Sequence, residues 1–325
     1  MAEEPVVRFG LIGCGDIAAK RVAAALRDAP GSRLDAVSRR QADKAEEFAR
    51  RFGARRWHES WEELIRSEVD AVYIATPVDL HARMAIAAAE AGKHVLCEKP
   101  MALEVGECDR MLAAAAANGV KLGVAYYRRF YPILLRLKEL LQDGAIGAPV
   151  VAEADAFEAF DPGPDHPRRW IVEKSHSGGG PMFDFGCHRL EVFLNLFGTV
   201  AEVGGMSAEV ALTRGVEDTA VAVLRFERGP VATVRVTHAT TESKDTLDVY
   251  GRTGSIHIPR LNGPELRLRA NGRETVEQHP PPANLHQPLV EQFVRAVRGP
   301  EAPAVDGYVG REVNRLLAAI LGIGA

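Results

Sequence analysis

Asp184 and His188 stand four residues apart in Gly178-Gly179-Gly180-Pro181-Met182-Phe183-Asp184-Phe185-Gly186-Cys187-His188, a glycine-rich loop that reads as the lead-in to a helix. If Asp184 begins that helix, carboxylate and imidazole share one face. Histidine has the side-chain pKa nearest neutrality, so an imidazole beside a carboxylate can give or take a substrate proton. The competing reading is an ordinary helix start, with Asp184 favouring the dipole and His188 partly packed. A third reactive group is Lys99, in His94-Val95-Leu96-Cys97-Glu98-Lys99-Pro100. The proline after it biases its backbone toward an extended conformation, so the chain itself aims the ammonium. Ala75-Thr76-Pro77, with His81 shortly after, ends another apolar run.

The elements that must position these groups alternate in the first half. Apolar runs at Val6–Ile12, Arg33–Ser38, Ala71–Ala75, His94–Cys97 and Lys121–Ala125 read as buried strands. Helical patterns fall between them, to about Leu26, at Ala42–Phe52, Leu80–Ala91 and Val105–Asn118. Such an order predicts an α/β class with an open doubly wound parallel sheet, whose ligands gather at the carboxyl ends of its strands. The first strand-to-helix turn is Gly13-Cys14-Gly15-Asp16-Ile17-Ala18. There Gly13 permits a tight turn, Gly15 lets a pyrophosphate approach the backbone, and Ala18 keeps helix and sheet close. A dinucleotide site usually carries an acidic residue at the end of the second strand for the ribose hydroxyls. This chain has Ser38-Arg39-Arg40 there. A hydroxyl and two guanidiniums suit a 2′-phosphate, which favours NADP(H), with NAD(H) binding possible if both arginines are solvated.

Composition narrows the partners. A chain of 325 residues that is 46% hydrophobic and 26% charged has enough apolar surface for two cores. Its net charge of -4 comes without a basic stripe, which argues against nucleic acid. Apolar stretches are too short for a membrane span, and Met1-Ala2-Glu3-Glu4-Pro5 lacks the basic and apolar regions of an export leader. Cys14, Cys97, Cys108 and Cys187 are too far apart for a CxxC motif, so the reading is four reduced thiols in the cytoplasm. The acid–base chemistry outlined calls for no metal.

Together, the glycine loop, Glu98-Lys99-Pro100 and the GGG-x-x-x-D-x-G-x-H run resemble the Gfo/Idh/MocA oxidoreductases over nearly the whole chain. The resemblance implies that Lys99 contacts the nicotinamide ribose and substrate, while Asp184 and His188 bind substrate and act as acid or base. From the glycine loop and the ends of the strands, the cofactor is expected to lie against Gly13, Cys14, Gly15, Asp16, Ile17, Ser38, Arg39, Arg40, Ala75, Thr76, Pro77, His81 and Glu98, with Lys99. Arg129, in Tyr126-Tyr127-Arg128-Arg129-Phe130, matches an arginine near the family's active site, whereas Tyr127 stands where many members have asparagine. Trp170 either walls the substrate pocket or is a half-buried aromatic under a loop.

Beyond about Pro149 the pattern turns to β-branched alternation at Val150–Phe157, Ala201–Val210, Thr219–Phe226, Val231–His238, Thr246–Tyr250 and Ser255–Ile258. Hairpin signals at Arg228-Gly229 and Arg252-Thr253-Gly254 predict a large, mostly antiparallel open sheet. Residues 1–125 then form a Rossmann domain and 126–325 an α+β domain for substrate binding and oligomerisation, its C-terminal helices free to pack back on the first. The resemblance implies a homodimer or homotetramer through that sheet. The expected activity is hydride transfer to or from a secondary alcohol or ketone of a sugar, cyclitol or related polyol. The alternatives are a trans-dihydrodiol or other non-sugar carbonyl reductase, and a non-catalytic dinucleotide sensor.

Overall fold

Runs buried on both faces, such as Val7–Ile12 and Ala71–Ile74, must lie inside a sheet covered by helices, and they do. The computed structural model describes residues 6–323, and the counts below are of these. The Met1–Pro5 stretch lies outside the described residues. Strands β1 (Val7–Ile12), β2 (Ser32–Ser38), β3 (Arg56–His58), β4 (Ala71–Ile74), β5 (His94–Cys97) and β6 (Leu122–Val124) form a parallel sheet in the order 3-2-1-4-5-6. The order reverses beside β1, so the loops after β1, β4 and β5 flank the crevice where open α/β sheets hold ligands.

The second sheet holds eight strands among the described residues: β7 (Pro149–Ala159), β8 (Val200–Ala208), β9 (Thr219–Phe226), β10 (Val231–Thr237), β11 (Ala239–Gly251), β12 (Gly254–Ile258), β13 (Glu265–Ala270) and β14 (Arg273–Gln278). Their order is 14-13-12-11-7-10-9-8, antiparallel throughout except where β7 and β10 run parallel. The fold is thus α/β, a Rossmann sheet followed by a mostly antiparallel one.

Several elements escape the periodicity reading. Strand β3 and the helix Trp61–Arg66 are short, and β3 lies largely exposed at an edge, so neither shows an apolar pattern. Strands β13 and β14 are dominated by charged residues, yet Asn271-Gly272 between them is a two-residue hairpin turn with φ of 55° and 72°. The helix Pro132–Gln142, with proline in its first turn and Ile133, Leu134, Leu137 and Leu140 buried, also went unread.

The chain divides into two compact units, one running through Tyr127 and taking in Asn284–Asn314, the other Arg128–Ala283 with the residues from Arg315 onward. The second segment of the first unit is thus a return of the chain from its C-terminal part. Packing explains it: Gly123 of β6 bridges Asp306, and the rings of Phe9 and Phe293 lie 6.2 Å apart in the first unit's core. No helix among the described residues is long and apolar enough to cross a membrane.

Candidate active site

In the first unit, the turn after β1 is built as a dinucleotide loop would be. Gly13 has φ +91°, and a Cβ there would stand 2.7 Å from the Ala75 carbonyl, so both conformation and space demand glycine. Gly15 is different. Its φ is not left-handed, and a Cβ there would meet no described atom within 4 Å, so no described residue explains the glycine. Room left at this point of the turn fits a pyrophosphate. Ala18 is fully buried at the start of a π-turn, Ala18–Val22, that leads into the helix Ala23–Asp28. Ile17 is half-buried, and exposed Asp16 pairs with Lys20 at 2.8 Å.

Around this loop, Ser38 is buried at the end of β2, where its carbonyl accepts from the Gly13 amide. The Arg39 guanidinium donates to the Cys14 carbonyl at 3.1 Å, so it sits on the glycine loop, while Arg40 is exposed. Ala75, Thr76 and Pro77 follow β4, with Ala75 buried and the other two half-buried. His81 has no exposed surface. Its ring nitrogens face the Pro100 and Thr76 carbonyls at 3.0 Å each, so the imidazole holds two loops together beside β4 and β5.

Lys99 follows β5 and is half-buried, next to a carboxylate that the fold keeps inside. Glu98 accepts from the Tyr73 hydroxyl at 2.7 Å and from the Lys99 amide at 3.2 Å, and His286 Nε2 lies 3.4 Å away. Burial opposes the Glu98 charge, but His286 and Tyr73 outweigh it and hold the pKa below the usual glutamate value. Tyr73 is pushed well above its usual value by burial and by Glu98. The Tyr127 ring stacks on His286 at 4.3 Å, and its hydroxyl accepts from Arg21 at 3.3 Å. Tyr127 thus closes a buried network with His286, Glu98 and Tyr73 next to Lys99. His286 escaped sequence reading because no local spacing links it to Glu98.

In the second unit, Asp184 does not begin the regular helix. It lies within a π-turn, Met182–Gly186, and His188 is the second residue of the helix Cys187–Phe197. The glycines before them make this close entry possible. A Cβ on Gly178 would stand 2.4 Å from the Phe183 ring, and one on Gly180 only 1.9 Å from the Glu217 carbonyl. The Glu217 carboxylate accepts from the amides of Gly180 at 2.8 Å and Met182 at 3.3 Å. Burial pushes its pKa up, and those amides counter only part of the rise.

His188 is buried and Asp184 half-buried. Arg129 Nε donates to Glu191 at 2.6 Å, one turn beyond His188, which ties the Tyr127–Phe130 turn to this helix. Buried Glu191 still has a raised pKa. The Asp184 carboxylate faces His238 Nε2 at 3.7 Å, and one ligand atom each from Glu158, Asp184 and His238 lie within 4.8 Å of one another. Glu158 and His238 come from distant strand ends, and no motif announced either. Trp170 is half-buried and packs with Phe160 against a small core of Ile171, Val172 and Val216.

Comparison with known proteins bears on both halves. Residues 7–126 match the model of an oxidoreductase family with an NAD-binding Rossmann fold, and residues 134–257 that of the GFO/IDH/MocA C-terminal domain. The 1,5-anhydro-D-fructose reductase of Ensifer adhaerens is 31% identical over 93% of this chain and 92% of its own. The trans-1,2-dihydrobenzene-1,2-diol dehydrogenase of Danio rerio is 32% identical over 87% of this chain and 82% of its own. A levoglucosan dehydrogenase solved with NADH and levoglucosan superposes with a TM-score of 0.88 at 25% identity, covering 98% of this chain and 96% of the other. With both halves matched in order on a Rossmann sheet whose first turn has the glycine geometry of a dinucleotide loop, the chain belongs to the Gfo/Idh/MocA family of oxidoreductases.

Proposed function

We propose that this protein moves hydride to or from a secondary alcohol or ketone of a sugar, cyclitol or related polyol, with NADP(H) as its preferred cofactor. The observation that carries the substrate class is the convergence of Glu158, Asp184 and His238 within 4.8 Å, a polar surface suited to hydroxyl groups. Relatives named for 1,5-anhydro-D-fructose and levoglucosan support it. The dihydrodiol dehydrogenase relative supports the second reading, reduction or oxidation of a non-sugar diol.

The dinucleotide, when bound, supplies or accepts the hydride. Gly13, Gly15 and the helix beyond them hold its phosphates, and Ser38, Arg39 and Arg40 favour the 2′-phosphate. His188 gives a proton to the substrate oxygen in reduction and takes it in oxidation. Asp184 orients substrate hydroxyls, and Lys99 stabilises negative charge developing on the reacting oxygen. The buried Glu98–His286–Tyr73 network fixes the backbone from which Lys99 extends. Arg129 acts through Glu191 to hold the His188 helix.

His188→Ala should lower turnover by about two to four orders of magnitude while dinucleotide binding persists. A fluorescence-monitored screen of sugars, cyclitols and aromatic dihydrodiols, each with NADP and with NAD, tests substrate class and cofactor together. Tighter NAD binding overturns the role given to Ser38, Arg39 and Arg40. Self-association through the second sheet is part of the same reading: Tyr250, Val151 and Val231 are in register across β11, β7 and β10 and all exposed. Val151→Asp should shift the sedimentation coefficient to that of a monomer.

A further inference from the structure

His238 is a buried side chain that faces Asp184. It sits between β10 and β11, its amide donating to the Asp218 carbonyl at 2.8 Å and its carbonyl accepting from Phe160 at 2.9 Å. Its ring is 1% exposed and lies edge-on to Phe160 and Phe185, with centroids 5.1 and 4.9 Å away. Arg214 Nη2 lies 2.8 Å from Nδ1. A guanidinium has no acceptor, so Nδ1 accepts and the ring proton resides on Nε2. That N–H faces Asp184 Oδ2 at 3.7 Å.

A separation of 3.7 Å is too long for a hydrogen bond between the two groups. A hydroxyl seated to one side of the pair, within reach of both atoms, can accept from Nε2–H and donate to the carboxylate. We propose that His238, Asp184 and Glu158 form a recognition site for a vicinal diol, one hydroxyl shared by His238 and Asp184 and its neighbour by Asp184 and Glu158. Burial and the Asp184 charge raise the pKa of Glu158, which therefore presents a donor more readily than an ordinary glutamate. The same three residues have the composition of a cation site, but a metal would need the Nε2 lone pair, and the Arg214 contact puts the proton there. His238 and Glu158 are thus specificity-determining residues that deepen, and rest on, the polyol reading above.

The test is steady-state kinetics at saturating dinucleotide, using a polyol found in the screen and its analogue lacking one of the two hydroxyls. His238→Ala and Glu158→Ala should each raise KM about ten- to a hundredfold with a smaller change in kcat, because each leaves a buried substrate hydroxyl without its partner. His238→Gln, which keeps an N–H donor, should recover most of the loss. The deoxy analogue should be a poor substrate for the wild type and lose little further in His238→Ala. If His238→Ala fails to fold, Glu158→Ala, at the half-exposed end of β7, carries the measurement. Unchanged KM in both variants overturns the proposal, as does activity abolished by EDTA and restored by Mg²⁺ or Zn²⁺. Dinucleotide binding without turnover of any polyol overturns the polyol reading itself, and this inference with it.

Discussion

The two glycine loops, one after β1 and one before the Asp184 turn, are alike in sequence and opposite in use. Each enters its helix through a π-turn, Ala18–Val22 in the first unit and Met182–Gly186 in the second. Near Gly180 the loop amides are already bound to an anion, the Glu217 carboxylate at 2.8 and 3.3 Å, and Phe183 and the Glu217 backbone fill the space beside the glycines. At Gly15 no described residue places an atom within 4 Å of a Cβ. Both loops exploit the affinity of backbone N–H groups for negative charge. The second satisfies it internally and becomes a rigid mount for Asp184, and the first keeps it for a ligand.

That contrast can be broken most sharply at Gly180. Gly180→Ala places a methyl 1.9 Å from the Glu217 carbonyl and should cost about 3 kcal/mol or more, read as a lower denaturant midpoint. A variant as stable as the wild type would show that the second loop is not packed as described. A smaller effect is expected from Gly15→Ala, and on a different observable. Stability should hold or rise by about 0.4–1 kcal/mol, because the methyl meets nothing and restricts the unfolded chain. Dinucleotide affinity in a fluorescence titration should fall about tenfold or more. Undiminished affinity would make the two loops equivalent.

The smallest effect is a pH dependence at Glu217. Its pKa is raised in the folded protein, so its favourable contribution is full below the ordinary glutamate value and fades as pH rises toward the raised one. Glu217→Gln removes that titration. The stability difference, wild type minus variant, should therefore shrink as pH increases through this window in parallel urea melts. A difference that grows with pH would mean the amides of Gly180 and Met182 dominate over burial.

Much of the framework is written locally. The strand–helix alternation, the turn at Gly13 and the Glu98-Lys99-Pro100 and Asp184–His188 motifs depend on residues close together in the chain, so period and spacing expose them. Polar elements such as β13 and β14 were missed, since their charged residues hide the two-residue period and only Asn271-Gly272 marks the turn. The partners of the reactive groups were missed for another reason. Glu98 meets His286, Arg129 meets Glu191, and Asp184 faces His238 and Glu158 through folding of distant segments.

Sequence alone therefore determined the family, the doubly wound first sheet and the residue types available for proton and hydride chemistry, because each rests on short-range pattern. Tertiary structure decided that Glu98 is buried beside Lys99, that His238 faces Asp184 across 3.7 Å, and that one glycine loop is filled while the other keeps space. These are matters of burial and of which donor meets which acceptor, and both are set by contacts between residues remote in sequence.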